Sequence, residues 1–452
     1  MVTGALAACD DAVGVKPVSE PRPEQPAPGP QDLPPLLGSP RSVLILGASV
    51  AGLRAAITLD RMLIGRRDHR VLLVDRNPYH QVRPSLSAVA GGALSPLSAT
   101  VPIRRLLGAR RVEYRQARVE SVDLSSRTVR TSAGGVEYGW LILALGLEAS
   151  PSGVPGLADV AAEVWTVDDA RRLSERLLEL IRQAAWKLDA SERTRLSTVV
   201  VLGGSRFGLE LAGALAERVR TLSAHFRLPA GDGRVILVEP SDRLLPADPR
   251  ALGEAANEAL ARVGVDTRIG TSVARAWAGG VELASGEIVP AGLVVRTSPG
   301  RAPSFVGDSG AAVGREGRVI VDREMRLPEH PGAYGAGPGI ALLGDVVGGE
   351  EGDRDAARQG EIAALNVFAE IAGSAGIAAQ RSQYKAEPGD LAIPIGSGDA
   401  VGQVRGLVVS GWRARMALEA SRLSYFESIG GPGGLLAGLS SRRPVIGRIR
   451  KR

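Results

Sequence analysis

A chain of 452 residues, 44% hydrophobic and carrying 57 glycines, is long enough for two or three domains with sizeable cores, and its glycine content suits the turns of an α/β protein. Its net charge of +6 is compatible with an anionic cofactor, a membrane surface or nucleic acid, but aromatic residues are only 4% and form no base-stacking pattern, which argues against nucleic acid. The single cysteine, Cys9, excludes an intrachain disulfide, a cysteine zinc site and a redox-active cysteine pair; the four histidines have no metal-ligand spacing, and no apolar run reaches the ~18 residues of a membrane-spanning helix.

Residues 1–40 contain Pro17, Pro21, Pro23, Pro26, Pro28, Pro30, Pro34 and Pro35 and read as a disordered arm. Leu6-Ala7-Ala8-Cys9 resembles a lipoprotein cleavage box. The apolar stretch before it is short and no Lys or Arg precedes it, so an ordinary thiol in a tail is the expectation. Residues 43–46 are a continuous apolar run, as in a strand buried on both faces. Gly47, Ser49 and Gly52 follow at the spacing of a dinucleotide-binding turn, and Leu53, Ala56, Ile57 and Leu59 mark the inner face of a helix. A second apolar run, 71–74, ends at Asp75, 23 residues past Gly52, where a carboxylate can hydrogen-bond a ribose hydroxyl. Gly47 permits the tight turn, Gly52 lets helix and strand approach, and the helix N-terminus offers N–H groups to a pyrophosphate. Ser49 replaces the usual middle glycine, and its hydroxyl is a candidate phosphate donor. It is not a nucleophile elbow, because Ala51 stands where that turn needs glycine.

Residues 76–96 read as loop, short helix and loop. Residues 112–120 and 126–131 read as strands of a small meander, and 141–145 as a buried strand ending at Gly146. A helix is expected over 168–187, with Leu173, Leu177, Leu180 and Ile181 on one face. The opening pattern then recurs: apolar strand 198–202, turn Gly203-Gly204-Ser205-Arg206-Phe207-Gly208, helix 209–220, and strand 234–238 ending at Glu239. Two such units in one chain imply two nucleotide sites. A helix over 250–262 and short strands follow, then strands at 317–321 and 341–344 that lead into Gly344-Asp345. Next come a helix over 353–372, hairpins over 390–410 and a helix over 411–427. In the last helix Trp412, Met416, Leu418, Leu423 and Phe426 are candidates for an apolar face turned to core, dimer or membrane. Beyond the apolar stretch 434–439, the tail carries Arg442, Arg443, Arg448, Arg450, Lys451 and Arg452 and no acid, which suits anionic lipid as well as a solvated end.

This order resembles flavoproteins with two dinucleotide domains, and within them the type II NADH dehydrogenases (NADH:quinone oxidoreductases). The residues that carry the resemblance are His80 through Pro96, Gly208-Leu209-Glu210-Leu211-Ala212-Gly213, Gly264-Val265 and Gly317-Arg318-Val319-Ile320-Val321-Asp322. The resemblance implies an α/β fold with two Rossmann-like dinucleotide-binding domains, for FAD and NAD, the second inserted in the first, plus a C-terminal β/α region. The boundaries expected are 41–154 and 306–380 for FAD, 155–305 for NAD(H), 381–430 for the C-terminal region and 431–452 for the basic tail. The sequence departs from the family where Ala144-Leu145-Gly146 replaces Ala-Thr-Gly and Arg296-Thr297-Ser298-Pro299-Gly300 replaces Trp-x-Ala-Gly. In the helix beside the quinone, arginines at 354 and 358 replace two glutamines, and Gln359 is one residue off.

By that resemblance, Gly47, Ser49 and Gly52 hold the FAD pyrophosphate, Asp75 the adenosine ribose, and Asp345 the ribityl chain or flavin-side phosphate. Ala48, Ala51, Arg76, Ala144, Gly146 and Gly344 complete the set, and His80 orders the loop near the flavin. Gly203, Gly204, Ser205 and Gly208 take the NADH pyrophosphate. Glu239 accepts from its ribose hydroxyls and would repel a 2′-phosphate, which favours NADH over NADPH, although Arg243 is close in sequence. Glu210 is the candidate polar group facing nicotinamide and Gln359 the candidate contact to flavin or acceptor; no residue is assigned to a metal. With no cysteine near the flavin, electrons leave directly, to a quinone, a one-electron protein partner or oxygen. The expected enzyme is cytoplasmic or peripheral on the inner face of the membrane, with a homodimer left open. Two alternatives stand beside it: a soluble NADH-dependent reductase of a ferredoxin-like protein, and a nucleotide-binding member without activity.

Overall fold

The computed structural model describes residues 38–297, 300–344, 352–386 and 389–431. Asp345, Cys9, Ser298, Pro299, the apolar stretch 434–439 and the basic tail lie outside the described residues.

The first apolar run becomes the strand Ser39–Leu46, with Val43, Leu44, Ile45 and Leu46 fully buried. It is sandwiched in register between Arg70–Asp75 and the end of Gly134–Leu143, all parallel. The complete seven-stranded sheet runs Glu113–Gln116, Arg70–Asp75, Ser39–Leu46, Gly134–Leu143, Thr128–Thr131, Val119–Asp123, and Ala333–Gly335 also pairs with Gly134–Leu143. Residues 112–120 are therefore not one meander strand. Glu113–Gln116 extends the parallel edge, where Arg70 and Glu113 form a two-pronged ion pair, while Val119–Asp123 opens the antiparallel meander. The strand expected at 141–145 is the far end of a ten-residue strand that serves the meander first and the parallel sheet second.

The chain leaves this sheet through Glu148–Ala149 and returns through Gly300–Arg301, and the two crossings pair antiparallel. Between them lies a five-stranded parallel sheet in the order Ala161–Glu163, Leu293–Arg296, Thr198–Leu202, Arg234–Glu239, Val265–Ile269. The period of two along Thr198–Leu202 divides its side chains: Val199 and Val201 join one core cluster, Val200 and Leu202 another. The helix Ala190–Ser197 carries no apolar stripe. An Asp189 cap and the Glu192–Arg195 pair support it.

The helices Val50–Met62 and Asp353–Ser374 cross tightly in the first core. Gly360 makes this possible, since a Cβ there would stand 2.1 Å from the Ala51 carbonyl oxygen. The C-terminal sheet Leu391–Ile395, Asp399–Val404, Leu407–Ser410 leads into the helix Gly411–Gly430. The apolar face expected on that helix is split: Phe426 is buried in the first core, whereas Trp412, Met416 and Leu423 are exposed.

Candidate active site

The two glycine turns are near copies in atomic detail. Gly47 and Gly203 have φ of 101° and 109°, open to glycine alone at little cost. Each donates its N–H to the last residues of the neighbouring strand, Val74 and Val238, at 2.8 and 2.9 Å. Ser49 and Ser205 both take extended backbone and cap the following helix, accepting from the N–H of Gly52 and Gly208 at 3.4 Å. A Cβ on Gly52 or Gly208 would lie 1.9 Å from the carbonyl oxygen of Gly47 or Gly203. Ser49 Oγ also donates to the Ala144 carbonyl at 3.1 Å, so its hydroxyl is spent on the cap and the neighbouring strand rather than held free for phosphate. The other N–H groups of the first helical turn point off the helix end, the arrangement that binds a pyrophosphate.

The carboxylates behind the turns repeat as well. Asp75 accepts from Ala48 and Asn77 N–H at 2.7 and 2.8 Å; Glu239 accepts from Gly204 and Ser241 N–H at 2.5 and 2.8 Å. Burial raises the Asp75 carboxyl above the usual carboxylate range, and these two N–H groups oppose the shift. Each acid thus clips the turn to the tip of the second strand, at the edge where a ribose would sit. Arg243 donates to the Pro246 carbonyl at 2.7 Å. Thr297, which has no counterpart in the first unit's chemistry, ties the second turn down by donating to Leu202 and Gly203 carbonyls.

One large cavity of about 2020 Å³ runs between the two units and the C-terminal helix. Gly47, Ala48, Ser49, Asp75, Arg76, His80, Ala144 and Gly146 line it from the first unit; Ser205 and Glu210 line it from the second. Gly203, Gly204, Gly208 and Glu239 form the second turn without lining this cavity, and Ala51, Gly52 and Gly344 do not line it either. The Glu210 carboxylate accepts from Ser87 Oγ at 3.3 Å, across the joint between units, and lines the cavity.

Gln359 does not face it. Its side chain is fully buried and its oxygen accepts from Gly337 N–H at 2.8 Å, so this candidate is a clamp inside the first unit. The helical period explains the difference: Asp353, Arg354, Ala356 and Ala357 take the cavity side and Gln359 the core side.

His80 is buried and bonded at both ring nitrogens, Nδ1 to the Ala48 carbonyl at 2.8 Å and Nε2 to Tyr425 Oη at 2.6 Å. The carbonyl can only accept, so Nδ1 carries the proton and Tyr425 donates to Nε2. Burial holds His80 neutral, with its pKa pushed down to about 4. Tyr425, Asp353 and Arg83 escaped the sequence reading. They come from the C-terminal helix, the helix Asp353–Ser374 and the turn Arg83–Ser85, and only the fold brings them to one end of the cavity. The one available signal was Asp353 itself, an acid at the start of the helix whose other family positions also differ. Gln81 was missed too; it bridges the units, donating to the Trp165 carbonyl and accepting from Val167 N–H.

Residues 41–360 match the family model described as pyridine nucleotide-disulphide oxidoreductase. An NADH dehydrogenase-like protein of Mycobacterium tuberculosis is 33% identical over 308 residues, 65% of this chain and 72% of that protein. The type II NADH:quinone oxidoreductase NdhA of the same species is 30% identical over 414 residues, covering 87% of this chain and 85% of the relative. Among solved structures, NDH2 of Plasmodium falciparum in complex with NADH superposes with a TM-score of 0.73 at 14% identity, covering 89% of this chain and 97% of that one; at this identity the likeness concerns the fold. The duplicated turns, the shared cavity and these matches lead to one assignment: the chain belongs to the pyridine nucleotide-disulphide oxidoreductase family, among its type II NADH:quinone oxidoreductases.

Proposed function

We propose that this protein is an FAD-dependent NADH dehydrogenase that delivers electrons to a quinone. The observation that carries the reading is the pair of matching dinucleotide turns opening beside one cavity, with a carboxylate clipped behind each. FAD fits the first unit, through Gly47, Ala48, Ser49, Ala51, Gly52, Asp75, Arg76, His80, Ala144, Gly146 and Gly344, with Asp345 completing the set. NADH fits the second, through Gly203, Gly204, Ser205, Gly208 and Glu239. FAD, when bound, supplies the two-electron chemistry, taking hydride from NADH and passing electrons on. The chain's part is to hold the rings in contact and to keep charge and water where the transfer needs them. Glu210 is the polar group of the second unit best placed to orient the nicotinamide. Glu239 disfavours a 2′-phosphate, and Arg243, bonded to Pro246, leaves that preference intact.

We assign residues 41–154 and 306–380 to the FAD domain and 155–305 to the NAD(H) domain, with 381–430 as a C-terminal region. No described helix is long and apolar enough to cross a membrane. Membrane contact therefore falls to the exposed Trp412, Met416 and Leu423, with the basic tail beyond them, on the cytoplasmic face of the membrane.

The deciding measurement is anaerobic addition of NADH, then NADPH in a parallel sample, then a short-chain quinone to the purified flavoprotein. Bleaching by NADH, slower bleaching by NADPH, and recovery with quinone are expected. Bleaching without recovery would move the acceptor to a redox protein, and a protein that never holds flavin would overturn the reading.

A further inference from the structure

The end of the cavity beyond the first turn holds a carboxyl that the duplicated units do not explain. Asp353 is the first residue of the helix Asp353–Ser374. It lines the cavity and makes no hydrogen bond or ion pair with another described residue. Every other described acid lining this cavity is engaged with a neighbour; Glu148, for example, pairs with Arg301, and Glu316 with Arg318. An acid without a partner, half withdrawn from water, is an expensive group to keep for structure alone.

Among the described residues, the groups around it are few. Arg83 faces it from the turn Arg83–Ser85, and its charge opposes the effect of burial on Asp353. Tyr425 faces it from the C-terminal helix, and the Asp353 charge helps to push the Tyr425 hydroxyl upward, after burial itself. Arg422 and Glu419 line the cavity from that same helix, and Arg354 follows Asp353 on its own. Behind Tyr425 stands neutral His80, which takes the Tyr425 proton as a hydrogen bond and leaves the phenolic oxygen's lone pairs open to accept.

We propose that Asp353 is the proton donor to the quinone in this cavity. The proposal rests on the NADH:quinone reading. That reaction converts NADH, a proton and quinone to NAD⁺ and quinol. Hydride brings both electrons and one proton; the second proton has no source in NADH. At Asp353 the carboxyl O–H bond breaks as a quinol O–H bond forms, and water in the cavity returns a proton to the carboxylate. Desolvation raises the Asp353 pKa to about 6, close to working pH, where an acid transfers and recovers protons efficiently.

Two measurements on the flavin-loaded protein test this. In the absence of NADH, infrared pH titration of wild type minus Asp353→Asn should reveal a carboxyl C=O band that disappears near pH 6. In turnover, Asp353→Asn should lower the quinone rate by about a hundredfold, a usual contribution of a general acid, and flatten its decline with rising pH. Its NADH bleaching and its rate with ferricyanide, an acceptor that takes no proton, should match wild type. Absence of the band, or equal losses with quinone and ferricyanide, would overturn the proposal. Failure of NADH to bleach the wild-type flavin would instead overturn the reading on which it stands, and the infrared titration is independent of that outcome.

Discussion

His80 and Gln359 are both polar residues placed in the core by their partners, and each makes a distinct expectation at the scale of one side chain. His80 has its pKa lowered from 6.5 to about 4, so between those values the unfolded chain binds a proton that the folded chain does not. Stability therefore falls as pH drops through that window, by on the order of 3 kcal/mol when complete. Asp353 works in the opposite sense, because its raised pKa makes the folded chain the better proton binder from about 6 down to 3.8. Comparing denaturant midpoints of wild type and His80→Gln across pH 7 to 4 isolates the histidine: the variant should lose less stability on acidification. Gln359→Ala would strand the buried Gly337 N–H, at a cost of about 1–3 kcal/mol. Its KM for quinone should stay unchanged, because Gln359 does not reach the cavity; a large KM effect at unchanged melting temperature would return it to the acceptor site.

The strand–turn–helix unit is the element on which cofactor binding depends, and the duplication makes it possible to damage one copy at a time. A Cβ on Gly52 or Gly208 collides with backbone that has no room to give. Gly52→Ala is expected to purify with little flavin. Gly208→Ala should keep its flavin but bind NADH at least tenfold more weakly, about 1.4 kcal/mol. Flavin absorbance and an anaerobic NADH titration distinguish the two. Equal loss of flavin in both variants would mean that the units fold as one cooperative body and do not divide the cofactors. The helix Asp353–Ser374 illustrates a second role for an element: one face supplies Asp353 and Arg354 to the cavity while Gly360 and Gln359 lock the other face to the first turn and its helix.

At the scale of the whole molecule, the cavity exists because two units and a C-terminal helix meet, and the same helix leaves Trp412, Met416 and Leu423 exposed at 67%, 65% and 45%, the first two at the cavity's rim. Their spacing of four and seven residues keeps them on one side of the helix. Replacing all three by serine should weaken sedimentation with phosphatidylglycerol vesicles by about tenfold or more, given the apolar area each would bury in lipid. NADH bleaching should persist, since the two dinucleotide turns proposed to hold flavin and NADH lie in other elements. Unchanged sedimentation would move membrane contact to the basic tail.

The duplicated turns, their glycines and acids, and the α/β class were legible in the sequence because each is local: an apolar run, a turn and an amphipathic helix within a few dozen residues. Asp75 and Glu239 were readable for the same reason, as acids closing a buried strand. What the tertiary structure decided is everything that needs residues far apart in the chain. Which side of a helix Gln359 occupies, that Glu113–Gln116 joins a parallel edge, and that His80, Tyr425, Arg83 and Asp353 share one end of a cavity all depend on packing between elements. A helix sequence with small and polar residues all round, like 353–360, does not announce its buried side; only the close approach of Gly360 to Ala51 selects it.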